Sequence, residues 1–367
     1  MEHMNTLDLA KKLIEFQSTF TNQEQRQEVL NFVHQYVLKN TKCQLLSKTI
    51  EHNGFHTLII ATKSLKSPAL SFYSHLDVVE APQECYTPTV IGDRLHGRGA
   101  GDMKGPAASL INAFIQIVND NPDADICLFL PTDEESGGQN CAKYTIEEYG
   151  FRTKCVIMPD SGSGLDTLIT HQKGIYFLEV IFHGVSAHGS RPWEGSSATQ
   201  KLFEFNQKLQ SRIPKSNPDY FSTANPSMIT GGESFNSVAA EAKLTLDIRT
   251  ASAEDKKLLL EILEELKEED ITYQVNFDDP AFEVSTENQY MQLAKKVTEE
   301  VIQKPVKFQK EHGGSDGRFF QKYDIPCIVN GIDKEGSHAD HENASIKEIE
   351  QLETFCIEFT KQFNNLG

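Results

Sequence analysis

Three apolar segments of the sequence lead into side chains that can bind metal ions or transfer protons. The run SFYS is followed by His75 and Asp77, the run LFLP leads to Glu134 and Glu135, and the run VIMP is followed by Asp160. In a mostly parallel sheet, the carboxyl ends of the strands share one edge, and ligands bind there. The sequence therefore predicts that these acids and the imidazole converge.

A further acid, Asp102, can join this set from the glycine-rich segment GRGAGDMKG, which stands just before a predicted helix. Glycines let the main chain pass close to a bulky neighbour. For any one of the acids, a solvated turn is the simpler interpretation. Carboxylates that meet within about 5 Å repel each other by roughly 3 kcal/mol per pair at an effective dielectric near 20, so the cluster as a whole requires cations.

The available ligands are carboxylates and imidazoles without organised thiolates, which favours Zn²⁺, with Co²⁺ or Mn²⁺ as alternatives. Two ions per subunit, about 3.5 to 4 Å apart and sharing one carboxylate, fit the number of ligands better than one ion. Asp77 points the same way as His75 on an extended chain and can orient the imidazole. The side chains of Glu134 and Glu135 diverge, so one can bind metal while the other takes a proton from water.

The elements that carry these residues predict an α/β fold with a mixed, mostly parallel sheet flanked by helices. Short apolar runs suited to central strands lie at 56–62, 68–74, 125–131, 154–159 and 324–330. Between 174 and 284 the order becomes strand, helix, two strands, helix, strand, which predicts an inserted α+β domain of about 110 residues. Residues 1–173 and 285–367 would then form the metal-binding domain.

Charge and apolar patterning exclude several kinds of partner. The 367 residues carry 35 Lys and Arg against 53 Asp and Glu, a net charge of −18. This field repels phosphate backbones and anionic lipids, so we expect neither nucleic acid nor a membrane as partner. No apolar stretch approaches the roughly 20 residues that span a bilayer, and no secretory apolar segment is found at the start. The sequence predicts a cytoplasmic protein whose seven scattered cysteines form no disulfides.

Six motifs follow one another between residues 70 and 345: HLDVV, GRGAGDMKG, TDEESGG, HGVSAHGSRP, GGSDGRF and HADHE. Together they resemble the M20 family of co-catalytic zinc peptidases and deacylases. That family includes acetylornithine deacetylase, succinyl-diaminopimelate desuccinylase, aminoacylase-1 and glutamate carboxypeptidase. The resemblance implies a dinuclear zinc hydrolase of amide bonds, a ferredoxin-like dimerisation or lid domain at 174–284, and a homodimer.

Residue by residue, the resemblance implies two metal sites that share one ligand. His75 and Asp160 would hold one metal, Glu135 and His338 the other, and Asp102 would bridge them. We expect Glu134 to be the general base that activates the bridging water and passes its proton to the leaving amine.

His341 competes with His338 for the second imidazole role. The family pattern His-x-x-x-Glu is met by His338 and Glu342, which favours His338.

Other motif residues are expected on the substrate side. His188, which by itself would be a surface-loop residue, matches the family histidine that donates to the oxyanion, commonly from the partner subunit. Asn236 and Arg249 match positions near the substrate, although the strand face of Arg249 could equally be solvent-exposed. Arg318 and the glycine-rich turn before it would bind a carboxylate. The substrate is then a small N-acyl amino acid or a short peptide with a free carboxylate.

Several alternatives stay open at this point. GGSDGRF most closely resembles the desuccinylase, but Asp160 is Glu in the deacylases and carboxypeptidases and tends to be Asp in aminopeptidases and dipeptidases of the family. Gly313-x-Ser315-x-Gly317 also fits the G-x-S-x-G pattern of serine hydrolases, although a serine nucleophile would leave the acid cluster unexplained. A non-catalytic relative that uses metal structurally is the third alternative, and the presence of every expected ligand disfavours it.

Overall fold

The structure is a computed structural model that describes residues 2–214 and 218–364. The described chain divides into two compact units. Unit 1 comprises the chain up to Thr170, Glu283–Gln309 and the chain from Ser315, and unit 2 comprises His171–Phe282 and Lys310–Gly314. Within the described ranges, the helices that are long enough to cross a membrane are too polar to do so. The functions expected of the two domains stay predictions.

The helices and strands account for most of the described chain. The helices are α1 (Thr6–Ile14), α2 (Gln23–Asn40), α3 (Lys104–Asp120), α4 (Tyr144–Glu147), α5 (Ala198–Arg212), α6 (Ala253–Leu266), α7 (Gln289–Ile302), α8 (Gly317–Gln321) and α9 (Ile346–Phe363). The strands are β1 (Leu46–His52), β2 (Phe55–Ala61), β3 (Leu70–Tyr73), β4 (Thr89–Ile91), β5 (Arg94–His96), β6 (Ile126–Leu130), β7 (Cys155–Met158), β8 (Thr167–Gln172), β9 (Gly174–His183), β10 (Thr223–Gly231), β11 (Glu241–Thr250), β12 (Ile271–Asp279), β13 (Phe282–Glu283), β14 (Lys307–Glu311), β15 (Cys327–Val329), β16 (Lys334–Glu335) and β17 (Asn343–Ser345).

The apolar runs of the sequence form the centre of the large sheet in unit 1. From β1 to β8, its strands follow one another in the order β1-β2-β6-β3-β7-β15-β8, and β13 and β14 also pair with β8. The central strands β6, β3, β7 and β15 are parallel, whereas β1, β2 and β8 pair antiparallel with their neighbours. Strands β3, β6 and β7 are buried along their whole length, as parallel strands covered by helices must be. The predicted α/β fold with a mixed, mostly parallel sheet is confirmed.

Helix α3 fixes the position of the segment that contains Asp102. The helix begins two residues after Asp102 and is buried over most of its surface, because it packs between α1 and α9. Pro106 lies in its first turn, where a missing main-chain N–H costs nothing. Ser109 Oγ donates to Ile349 O at 2.7 Å. A helix held on two sides gives Asp102 a defined place beside the sheet.

Unit 2 is an antiparallel sheet with two helices on one face. The strand order is β10-β11-β9-β12, and the chain order β9-α5-β10-β11-α6-β12 is the predicted one. Alternate residues of β9 and β11 join the helices in one apolar core, which includes Leu178, Val180, Leu202, Leu246 and Ile262. Ser252 caps α6 by accepting a hydrogen bond from Asp255 N at 3.1 Å. The α+β topology predicted for the inserted segment is confirmed.

Candidate active site

The carboxyl ends of three parallel strands bring predicted site residues together in unit 1. His75 follows β3, Glu134 follows β6 and Asp160 follows β7. His75 Nε2 lies 4.0 Å from Glu134 Oε2, 4.0 Å from Asp160 Oδ1 and 3.5 Å from Asp102 Oδ1. Three carboxylates, the farthest of them 85 positions away in the sequence, thus lie around one imidazole nitrogen.

A second imidazole approaches the same cluster from its other side. His338 Nε2 lies 3.1 Å from Glu135 Oε2 and 3.7 Å from Asp102 Oδ2. Asp102 therefore directs one carboxylate oxygen toward His75 and the other toward His338. Among the described residues, the ligand atoms of His75, Asp102 and Glu135 lie within 4.8 Å of one another, as do those of His75, Glu134 and Asp160. Both groups include His75, and either of them could hold a metal ion.

Asp77 supports the cluster from behind the first imidazole. His75 Nδ1 lies 3.0 Å from Asp77 O and 3.5 Å from Asp77 Oδ1, so Nε2 is the nitrogen that faces the carboxylates. The main-chain N–H of Glu135 donates to Asp77 Oδ2 at 3.0 Å. One buried aspartate thereby connects the segment after β3 with the segment after β6.

Glu342 holds the glycine-rich segment that precedes Asp102. Its Oε1 accepts hydrogen bonds from Gly101 N at 3.0 Å and Asp102 N at 3.1 Å, and its Oε2 accepts from Gly99 N at 3.0 Å. Arg98 Nη1 donates to the same Oε2 at 2.8 Å, and both side chains are 1% exposed. The sequence identified Glu342 only as the glutamate of the His-x-x-x-Glu pattern that begins at His338. Its hydrogen bonds to the main chain around Asp102 join residues about 240 positions apart, so no local sequence pattern predicts them.

The pKa values of the cluster show an excess of buried negative charge. Burial, reinforced by Asp160, raises the pKa of Glu134 well above its usual range. Burial also raises the pKa of Asp160 to about 7, against the opposing effect of His75. Burial opposes protonation of His75, but its contacts with Asp102 and Asp77 raise its pKa overall. These shifts all favour the binding of protons or other cations.

The donor set fits divalent metal ions. Within the described part of the chain, the buried atoms His75 Nε2 and Asp160 Oδ2 have no hydrogen-bond partner. Leaving such atoms unsatisfied is costly unless a ligand completes them. Imidazole nitrogen and carboxylate oxygen are ligands that suit Zn²⁺ and Mn²⁺. These residues are therefore a candidate ligand group for divalent metal.

Lys334 is a site residue that the sequence did not reveal. Its Nζ lies 3.3 Å from Asp102 Oδ2, and its side chain is 5% exposed. Although burial opposes ionisation of Asp102, Lys334 and His75 lower the pKa of this carboxyl overall. The lysine lies in β16 within the segment DKEGSHAD, where a single cation carries no recognisable spacing. Its charge offsets part of the negative potential at the predicted bridging ligand.

A buried contact holds the turn that carries the two glutamates. Gly138, which follows this turn, has φ +67°, and a Cβ added there would lie 2.0 Å from Asp316 Oδ1. The hydroxyl of Tyr73 donates to Asp316 Oδ2 at 2.5 Å. Burial raises the pKa of Asp316 to about 7. Asp316 thus lies between the end of β3 and the glutamate turn.

Arg318 makes main-chain contacts in the same region. Its Nη2 donates to Gly137 O at 2.9 Å and its Nη1 to Ser315 O at 2.7 Å, and the residue is 3% exposed. The predicted contact of Arg318 with a substrate carboxylate stays a prediction. Ser315 is also buried, whereas a serine nucleophile stands exposed on its turn. This burial disfavours the serine-hydrolase alternative.

Unit 2 brings His188 and Asn236 close together. His188 pairs with Ser237 in an isolated antiparallel bridge, and Gly189 N donates to Asn236 O at 2.7 Å. The His188 side chain is in contact with Ser190 Oγ, 2.8 Å from its Nδ1. Arg249 lies on β11, and its Nε donates to Asp247 Oδ1 at 2.7 Å. The substrate-side functions of these residues stay predictions.

Curated proteins of known name are similar to this chain over most of its length. Succinyl-diaminopimelate desuccinylase of Ehrlichia ruminantium (strain Gardel) is 26% identical over 323 residues, covering 82% of this chain and 83% of that protein. A probable succinyl-diaminopimelate desuccinylase of Staphylococcus aureus (strain MRSA252) is 28% identical over 257 residues, covering 59% of this chain and 62% of that protein.

Solved structures with the same fold include two peptidases. A tripeptidase from Staphylococcus aureus has a TM-score of 0.82 at 20% sequence identity, and aminopeptidase PepT from Bacillus cereus has a TM-score of 0.80 at 18% identity. Each comparison covers 98% of both chains. At this level of identity, the likeness supports the fold.

A family model extends over the predicted site. The model of Peptidase family M20/M25/M40 matches residues 71–362, a range that includes His75, Asp102, Glu135, Asp160 and His338. The resemblance found in the motifs is confirmed, and so is the prediction of an enzyme of the metallopeptidase or amidohydrolase type. The chain belongs to peptidase family M20/M25/M40.

Proposed function

We propose that the protein is a dinuclear zinc hydrolase that cleaves the amide bond of a small N-acyl amino acid or a short peptide with a free carboxylate. The observation that carries this proposal is the position of Asp102, whose two carboxylate oxygens lie 3.5 Å from His75 Nε2 and 3.7 Å from His338 Nε2. A carboxylate placed between two imidazoles, each beside a further acid, is suited to bridge two ions.

The residues divide naturally between two ions. His75 and Asp160 would hold one, Glu135 and His338 would hold the other, and Asp102 would contact both. When bound, the ions would polarise the scissile carbonyl and make a water molecule acidic near neutral pH. Co²⁺ and Mn²⁺ are accepted by the same donors. Asp77 would keep His75 Nε2 directed at its ion through the contacts at Nδ1.

Glu134 is the proposed general base. Its side chain is 14% exposed, and its Oε2 lies at the edge of the cluster, 4.0 Å from His75 Nε2. In the metal-free protein, burial and Asp160 raise the pKa of Glu134. A glutamate at the edge of the cluster is placed to take a proton from water and to pass it to the leaving amine. The neighbouring Glu135 is instead directed at His338, 3.1 Å away.

The substrate side of the proposal rests on four residues that match the family motifs. Asn236 and Arg249 would bind the substrate, Arg318 would contact its carboxylate, and His188 would donate a hydrogen bond to the oxyanion, supplied by the partner in a homodimer. The family membership supports these functions. A cytoplasmic location is likewise proposed from the charge and patterning of the sequence.

Two substrate classes compete. The desuccinylase names of the relatives favour a succinylated amino acid. Asp160 favours short peptides, because this position tends to be Asp in the aminopeptidases and dipeptidases of the family and Glu in its deacylases. A panel of dipeptides, tripeptides, acetyl-ornithine, succinyl-diaminopimelate and acylated amino acids, read by the release of free amine, would decide between them.

The two adjacent glutamates provide a matched test of mechanism. Glu134→Gln should retain two ions per chain and lose turnover by about 10²- to 10⁴-fold, because only the proton acceptor is removed. Glu135→Gln should lose metal affinity together with activity. Full turnover after stringent chelation, or an active Glu134→Gln variant, would overturn the proposal. If Ser315→Ala abolished activity and chelators had no effect on the wild type, the serine mechanism would be favoured.

A further inference from the structure

The segment of unit 1 that carries His75 lies beyond the end of β3. The pairing of β3 with β7 ends at Phe72. On the side of β6, Leu76 N still donates a hydrogen bond to Pro131 O at 3.0 Å. Past Phe72, strand β7 thus no longer fixes the main chain that leads to His75, and contacts with another part of the chain must do so.

Ser18 makes two hydrogen bonds to this segment, one on each side of Asp77. Its Oγ donates to Leu76 O at 2.5 Å, and its main-chain oxygen accepts a hydrogen bond from Val78 N at 3.1 Å. The three residues Ser18, Leu76 and Val78 are all buried, so water does not compete for these hydrogen bonds. One residue therefore fixes both peptide groups that flank Asp77.

The second of these peptide groups also sets the direction of the His75 ring. The peptide group between Asp77 and Val78 presents its C=O to His75 Nδ1 at 3.0 Å. The N–H of the same peptide group donates to Ser18 O. Because a peptide group is planar, a contact that fixes its N–H also fixes its C=O. Ser18 thus acts on His75 through one rigid peptide group.

Two buried cations hold the main chain on either side of Ser18. Lys104 Nζ donates to Phe16 O at 2.5 Å, and Arg26 Nη1 donates to Thr19 O at 2.7 Å. Lys104 is fully buried and Arg26 is 4% exposed. Hydrogen bonds from charged donors are stronger than hydrogen bonds between neutral groups. Ser18 is therefore a firm support for the segment that follows β3.

We propose that Ser18 is a positioning residue of the metal centre, which keeps His75 Nε2 directed at its ion. The proposal rests on the proposed function, because it takes His75 to be a metal ligand. Removal of a partner that orients a ligating imidazole typically weakens metal binding by about 10- to 100-fold. Ser18 acts one step further from the ion, so the loss of its hydroxyl should weaken metal binding by the lower end of that range.

Two substitutions of Ser18 separate the position of His75 from the stability of the fold. Ser18→Ala should lower the affinity of the full chain for Zn²⁺ by about tenfold, measured by competition with a chelator. Ser18→Thr keeps the hydroxyl and adds a methyl group in a fully buried place, so it should lower the melting temperature and keep the zinc affinity of the wild type. Equal losses of zinc affinity in the two variants would overturn the proposal. If Ser18→Ala does not fold, Ser18→Cys takes its place, because a thiol is a weaker donor.

Ser109→Ala is the matched control. Ser109 is also fully buried, and it also donates to a main-chain oxygen, Ile349 O, at 2.7 Å. That oxygen belongs to α9 and not to a segment that carries a predicted ligand. Ser109→Ala should lower the melting temperature about as much as Ser18→Ala does and leave the zinc affinity unchanged. A loss of zinc affinity equal to that of Ser18→Ala would overturn the proposal, because any lost buried hydrogen bond would then have this effect.

A double-mutant cycle with His75→Ala tests whether Ser18 acts through the imidazole. Ser18→Ala should weaken zinc binding in the wild type and leave it unchanged in the His75→Ala background, because no ring remains to be oriented. An equal loss in both backgrounds would show that Ser18 only supports the fold. If His75→Ala itself keeps the zinc affinity of the wild type, the proposed function fails. If His75→Ala weakens zinc binding and Ser18→Ala does not, only the positioning proposal fails.

Discussion

Replacement of Gly138 by alanine should move the side chain of Glu134, although the glutamate itself is not substituted. A Cβ on Gly138 would lie 2.0 Å from Asp316 Oδ1 and 2.7 Å from its Cγ, and an ordinary contact begins at 3.4 Å. About 1.4 Å of movement is therefore needed. Asp316 is fully buried and accepts a hydrogen bond from Tyr73, so the turn that carries Glu134 is the more movable partner.

The expected magnitude has two parts. The positive φ of Gly138 costs an alanine roughly 1 to 2 kcal/mol, and overpacking adds about 1 to 3 kcal/mol. Gly138 N donates to Asp133 O at 2.8 Å and Gly137 N to Glu134 O at 2.7 Å, so a shift of the turn is transmitted to the proposed base. A displacement of about 1 Å at a catalytic group costs about 10²-fold in rate. We expect kcat to fall by that factor.

Gly150 offers a control that separates the clash with Asp316 from the cost of a positive φ. It has φ +79°, and an added Cβ would meet nothing within 4 Å. Gly150→Ala should lose stability through φ alone and keep full activity. Steady-state kinetics and thermal unfolding of both variants, with metal content measured, provide the assay. Wild-type turnover in Gly138→Ala, or an equal loss in Gly150→Ala, would refute the reasoning.

Three further predictions concern the charges of the site. Lys334→Met should tighten the binding of Zn²⁺, because the ammonium 3.3 Å from Asp102 competes with the metal for this carboxylate. Competition with a chelator measures the affinity, and an unchanged or weaker affinity would show that Lys334 supports the site instead. His338→Ala should reduce the metal content of the protein while His341→Ala leaves it near two ions, and the reverse result would exchange their functions. Burial raises the pKa of Asp316 from 3.8 to about 7, so between these pH values the folded protein keeps a proton that the unfolded chain releases. The free energy of unfolding of the metal-free protein should therefore decline as the pH rises from about 4 to 7. Asp316→Asn should flatten that decline in denaturant titrations, and an unchanged slope would assign the proton elsewhere.

The strands and the acids at their ends could be predicted because both are local features. An apolar run such as ICLFL specifies a strand that is buried on both faces, and the observed β6 covers the same residues. The side chains that follow parallel strands must then share one edge of the sheet. That rule needs no knowledge of distant contacts, and it predicts that His75, Glu134 and Asp160 lie close together.

The supporting contacts could not be predicted in this way, because they join segments far apart in the sequence. Asp316 contacts Tyr73 across 243 residues, and Glu342 clamps the main chain around Asp102 across 240. No sequence pattern around either residue indicates which distant residue it contacts. For Arg318, the motif predicted a substrate carboxylate, and this stays a prediction. The hydrogen bonds of its guanidinium to the main-chain oxygens of Ser315 and Gly137 could not be predicted, because Gly137 lies 181 residues away in the sequence.

The most direct test of the central claim is a crystal structure of the zinc-loaded protein with anomalous diffraction measured at the zinc edge. Two peaks about 3.5 to 4 Å apart are expected, with Asp102 contacting both, His75 and Asp160 at one, and Glu135 and His338 at the other. A single peak, or two peaks that do not share Asp102, would contradict the dinuclear centre.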